Sequence, residues 1–306
     1  MRLRLLGVIG VLAVLAGCAP AGTASDGAQL VTAGTTQTNL IQVGDLSRSY
    51  IVRAPDDVES PMPLLIMFHG AGGDASKAER ATGFSDDALA QKFVVAYPNG
   101  TQANSVEGEL AWNAGACCGL ARTDQIDDVS FILAMITELK ATYPIDPERI
   151  YLAGFSNGGM MSYRLTCEHG ELFAGVAVVS GALNYSPCAP AVPLSVLIIH
   201  GQSDLTVPYN GGETNERTAL RFGQWTNTSV ALATEFWRVH DRCERDAVVT
   251  SDEFTSTATY SGCDAGTSLD VVTIPDGTHT WPRVDTLGVD GSELILAFFA
   301  LNKIGD

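Results

Sequence analysis

Five apolar runs of strand length, residues 64–68, 93–97, 150–153, 175–179 and 196–199, recur along the chain, each set off by more polar stretches. A continuous apolar run of this kind suits a strand buried on both faces, the condition of a parallel sheet covered by helices. Helix-like stretches at 76–92, 128–140, 160–168 and 218–240, the last weakened around Asn227, fall between or after these runs, and a final amphipathic one spans 292–302. Asp124 or Asp127 can cap the second of them, and His169-Gly170 marks the end of the third. A leading hairpin is expected over 38–54 with Gly44-Asp45 as its turn, and a late one over 255–260 and 269–274. This alternation predicts an α/β fold: one domain built on a mostly parallel sheet with helices on both faces.

Composition narrows the partners. The chain is 46% hydrophobic, which excludes a disordered protein, and carries 35 acidic against 18 basic residues. The resulting charge of −17 argues against nucleic acid, whose phosphates need neutralising by Lys and Arg. Arg2 and Arg4 precede an apolar run over 5–16 that is too short to span a bilayer but has the form of a signal peptide. Leu15-Ala16-Gly17-Cys18 resembles a bacterial lipobox. Residues 1–18 are therefore expected to be a lipoprotein signal, with Cys18 acylated and holding the protein to the outside of the cell membrane. An ordinary secretory signal is the other reading. Residues 19–38, rich in Ala, Gly, Thr and Ser, read as a flexible linker, and 39–306 as the catalytic domain.

Export gives the remaining six cysteines a meaning, because disulfides persist in oxidising compartments. The expected pairs are Cys167–Cys188 and Cys243–Cys263, with Cys117 and Cys118 free or joined to each other. No cysteine–histidine spacing suggests a metal, and no metal or organic cofactor is expected.

Three segments carry chemistry. Gly154-Phe155-Ser156-Asn157-Gly158 lies between a strand and a helix, the setting of a nucleophile elbow. His200-Gly201-Gln202-Ser203-Asp204 places an acid just past the next strand. His279 sits in a loop after the last strand, with Asp276 as a rival acid three residues before it. A serine hydroxyl becomes a nucleophile when a neutral imidazole takes its proton, and a carboxylate orients that imidazole. The order Ser156, Asp204, His279 is that of α/β-hydrolases. An oxyanion needs backbone donors. Asn157 supplies one N–H, and Ala71 in the stretch His69-Gly70-Ala71-Gly72-Gly73 is the expected second.

These motifs occur together with Trp112-Asn113, Cys117-Cys118-Gly119, Asp127-Asp128-Val129 and His279-Thr280-Trp281-Pro282 in one order. As a set over about residues 38–302 they resemble the polyhydroxybutyrate depolymerase family of esterases, which shades into feruloyl and acetylxylan esterases of carbohydrate esterase family 1. The lipobox resembles that of the family's exported lipoprotein branch. The resemblance implies an α/β-hydrolase fold, a Ser156-Asp204-His279 triad and an exported serine esterase acting through an acyl-serine. The expected substrates are feruloyl or acetyl esters on plant polysaccharide, with a hydroxybutyrate polyester as the alternative. Acyl transfer, peptide hydrolysis, or binding by an inactive scaffold are the other readings of the same residues.

Only thirteen residues, 181–193, connect two strands where relatives often insert a lid, so no separate lid domain and an open site are expected. The segment 100–123 should form one rim. Trp112 and Trp281 are the expected substrate contacts, with Tyr209 and Trp225 as further aromatic candidates, although Trp225, read as helical, suits the core better.

Overall fold

A computed structural model describes residues 37–56 and 60–304. The signal segment, Cys18 and the linker up to residue 36 lie outside the described residues. Ten strands form the main sheet among the described residues: β1 (Gln37–Val43), β2 (Leu46–Arg53), β3 (Met62–Phe68), β4 (Val94–Pro98), β5 (Ile145–Phe155), β6 (Gly175–Val179), β7 (Ser195–Gly201), β8 (Val248–Ser251), β9 (Ser256–Tyr260) and β10 (Leu269–Ile274). Their spatial order is β1-β2-β4-β3-β5-β6-β7-β10-β9-β8. The six from β4 to β10 pair in parallel, while β1-β2 and β9-β8 add antiparallel edges. The expected leading and late hairpins are both present, and β1 begins at Gln37, inside the stretch read as linker.

The apolar runs are continuous because each strand feeds two cores. Leu64, Ile66 and Phe68 of β3 enter one cluster, and Leu65 and Met67, pointing the opposite way, enter the other. All seven residues of β3 and of β7 are buried. Helices seal both faces, as the sequence pattern implied.

Two long helix readings break in the structure. The first ends at Thr82 and restarts at Phe84 around Gly83, whose φ of 67° a helix interior does not accept. The stretch 218–240 is two helices, Glu216–Phe222 and Val230–His240. Asn215 and Ser229 cap them, each accepting a backbone N–H with its side chain. Between them Thr226–Asn227 pairs with Gly212–Glu213 as a short two-stranded ribbon. Trp225 is therefore on a loop, not a helix.

Three disulfides are present among the described residues: Cys167–Cys188, Cys243–Cys263 and the adjacent Cys117–Cys118. The first ties the helix Asn157–His169 to the connection between β6 and β7, which carries no helix or strand.

Candidate active site

Ser156 stands where β5 turns into the helix Asn157–His169, at φ 56° and ψ −122°. A non-glycine residue enters that region only when its surroundings hold it there. Here the Ser156 N–H donates to the Val179 carbonyl at 2.9 Å, and its own carbonyl accepts from Met160 N at 3.0 Å. Glycine lets strand and helix close on the turn: a Cβ on Gly158 would lie 2.4 Å from the Phe68 carbonyl oxygen.

The loop after β10 brings His279 Nε2 to 2.9 Å from Ser156 Oγ and His279 Nδ1 to 2.7 Å from Asp204 Oδ2. Asp204 is buried just past β7, and its Oδ1 accepts the N–H groups of Thr206 at 2.8 Å and Val207 at 2.9 Å. Burial pushes this carboxyl up, but hydrogen bonding with His200 and His279 and the Val207 amide outweigh it and hold the group below the usual carboxylate range. An ionised carboxylate only accepts, so Nδ1 of His279 is the protonated nitrogen and Nε2 faces the hydroxyl as acceptor. Asp276, the rival acid, is exposed.

Ala71 and Asn157 line one cavity together with Ser156 and His279. The Ala71 N–H has no hydrogen-bond acceptor among the described residues. Asn157 opens its helix, where backbone N–H groups lack an intrahelical partner. The loop bearing Ala71 is held from behind by His69, whose Nδ1 donates to Gly70 O at 2.8 Å while its Nε2 accepts Gly100 N–H at 3.0 Å.

The rim differs from expectation. Trp112 is fully buried, donates from Nε1 to the His69 carbonyl at 3.0 Å and packs on Phe68 and His69, so it supports the Ala71 loop and touches no substrate. Tyr209 packs on His200 and bonds Thr273 Oγ1, away from the cavity wall. Trp225 is buried in the main core cluster, as read, and also lines the cavity. Trp281 is almost buried and lines a second, more apolar cavity of about 360 Å³ on the other side of His279. The connection 181–193 leaves the site without a lid, yet the segment from Thr206 to Trp225 walls the first cavity, of about 260 Å³.

Sequence reasoning also missed the Asn157 side chain. Its Oδ1 accepts Trp112 N–H at 2.8 Å and its Nδ2 donates to Trp112 O at 3.1 Å, clipping the rim to the start of the helix. Asn157 follows the serine directly, and an amide matched to both polar groups of one backbone residue leaves no local sequence signal.

A parallel sheet in this order, with a serine raised on a strand-to-helix turn and a histidine and an acid at neighbouring strand ends, defines an α/β-hydrolase. The model of the Phospholipase/Carboxylesterase family matches residues 50–238, and the chain belongs to that family. It is 33% identical over 267 residues to the protein named "Putative esterase NocK" of Nocardia uniformis subsp. tsuyamanensis, a match covering 82% of this chain and 76% of that one. Feruloyl esterase B of Piromyces equi is 36% identical over 172 residues, which is 54% of this chain and 31% of that protein. Acetyl xylan esterase from Aspergillus awamori matches with a TM-score of 0.61 over 88% of this chain and 100% of that one; at 14% identity the likeness is one of fold. The protein is a carboxylic ester hydrolase.

Proposed function

We propose that Ser156, His279 and Asp204 hydrolyse carboxylic esters through an acyl-serine. The observation that carries this is the continuous contact from Ser156 Oγ through both nitrogens of His279 to Asp204, at 2.9 and 2.7 Å. His279 Nε2 takes the hydroxyl proton as Oγ bonds to the ester carbon, and the carbonyl pair moves onto its oxygen. The N–H groups of Ala71 and Asn157 receive that oxyanion. When the tetrahedral carbon collapses, His279 returns the proton to the departing alkoxide and the acyl group stays on Ser156. Water then repeats the sequence, giving up a proton to His279, and the acid leaves. Asp204 stays ionised throughout and stabilises the imidazolium of each half-reaction.

The substrate reading is a feruloyl or acetyl ester on plant polysaccharide. It is supported by the names of the relatives and by aromatic walls, Phe222 and Trp225 in one cavity and Trp281 in the other. The chain is read as exported, which the three disulfides favour. Anchoring through Cys18 is part of the same proposal, and a Cys18→Ala protein that still partitions with membranes would remove it.

The test of the chemistry is labelling by a fluorophosphonate, expected at Ser156 and absent from Ser156→Ala; modification of another serine overturns the assignment. The test of the substrate is kcat/KM on methyl ferulate and acetylated xylo-oligosaccharides against hydroxybutyrate trimers. A higher value on the trimers moves the reading to the polyester.

A further inference from the structure

The cavity beside Ser156 has a charge opposite to that of the chain. Of 35 acidic residues none lines it, whereas two of the 18 basic ones do, Arg217 and Arg221. Arg221 is compensated: its Nη2 pairs with Glu109 at 2.5 Å, and its guanidinium lies over the Phe222 ring. Arg217 is exposed and has no carboxylate partner among the described residues. The carboxylates nearby in sequence do not neutralise it. Neither Glu213, which accepts from Gln224 and Thr226, nor Glu216 forms an ion pair with it among the described residues.

An uncompensated guanidinium in a protein of charge −17 stands against a field that repels anions from most of the surface. A cleft lined by one sign of charge focuses the local field and concentrates ligands of the opposite sign. We propose, resting on the esterase reading of this site, that the cavity selects esters that also bear a carboxylate and that Arg217 is the residue that recognises it. The guanidinium presents a planar pair of N–H donors that matches a carboxylate, which a lysine in the same place would not. The anion can belong to the acyl half, as in a half-ester of a dicarboxylic acid, or to the alcohol half, as in an acylated sugar acid. The chemistry of recognition is the same.

The experiment compares matched pairs. On the acyl side, 4-nitrophenyl hemiadipate is set against 4-nitrophenyl heptanoate, and on the alcohol side 3-acetoxybenzoate against 3-acetoxybenzamide. The expected result is a kcat/KM ratio favouring the anion by about tenfold in one pair, which identifies the half that enters the cavity. That preference should shrink between about 0.01 M and about 1 M salt, as the Debye length falls from roughly 30 Å to roughly 3 Å. Arg217→Gln should lower the ratio and Arg217→Glu should invert it. Glutamate suits the first turn of the helix Glu216–Phe222, so the second variant is expected to fold. Ratios at or below one in both pairs, or a ratio that neither variant moves, overturn the proposal while hydrolysis of the neutral esters leaves the esterase reading standing. Absence of turnover on all four esters by protein that a fluorophosphonate does not label at Ser156 overturns both.

Discussion

At the scale of single residues, Ser156 combines a chemical and a conformational demand. For the proposed attack its hydroxyl must face His279, and its backbone sits at φ 56°, a region that costs about 1–3 kcal/mol for a residue with a side chain. Ser156→Ala is expected to abolish turnover with the fold retained. Ser156→Gly should be equally inactive but about 1 kcal/mol more stable than Ser156→Ala, read from thermal unfolding of the two inactive proteins. Equal stability of the two would show that the turn is not strained. His279→Ala and Asp204→Asn should each lower kcat by roughly four orders of magnitude, Asp204→Asn because the wrong ring nitrogen would face the hydroxyl. The three residues were legible in sequence because each stands at the end of a recognisable strand. Trp112 was not. An indole in a loop beside a catalytic motif gives the same local signal whether it faces substrate or core, and its place is decided by the carbonyl of His69, 43 positions away.

At the scale of elements, the junction of β5 with the helix Asn157–His169 depends on close backbone approach. Gly158→Ala would drive a methyl group to 2.4 Å from the Phe68 carbonyl oxygen and 2.5 Å from that of His69, neither of which can swing aside. It should cost about 3 kcal/mol, in contrast to Gly44→Ala, whose added Cβ meets nothing within 4 Å and bears only a conformational cost of about 1 kcal/mol. Urea unfolding of both variants measures the difference, and similar losses would refute the steric account. Five of the six parallel strands were readable because burial on both faces leaves an unbroken apolar run, while β10, interrupted by half-buried Asp270 and Thr273, was read only as part of a hairpin. Helix continuity was less so. The break between Phe222 and Val230 was signalled by Gly223, Ser229 and the polar run around Asn227, where the helix reading already weakened, but the apolar residues on either side favoured one continuous helix. The single-helix reading put Trp225 on a helix; it stands on a loop, buried in the core as expected and also on the cavity wall.

At the scale of the whole molecule, acid should loosen the fold through His69. Burial pushes this histidine down to about 4 from an ordinary value of 6.5, so the unfolded chain takes up its proton first as pH falls. Its contribution is fully present above about pH 6.5 and is lost by about pH 4, some ~3 kcal/mol in all. Unfolding free energies measured at pH 7 and pH 4.5 should therefore fall less in His69→Gln than in the wild type. An identical fall would show that His69 is not the acid-sensitive group. The wall of the first cavity has a consequence of another kind. Residues 208–229 leave the sheet after the Val207 amide that supports Asp204 and rejoin the fold at the capped start of the helix Val230–His240. They carry Arg217, Arg221, Phe222 and Trp225 but none of the groups proposed to move protons. Selectivity is in this sense modular: one contiguous segment carries the residues proposed to choose the ester, and exchanging it between related chains is expected to alter which ester is admitted without replacing Ser156, Asp204 or His279.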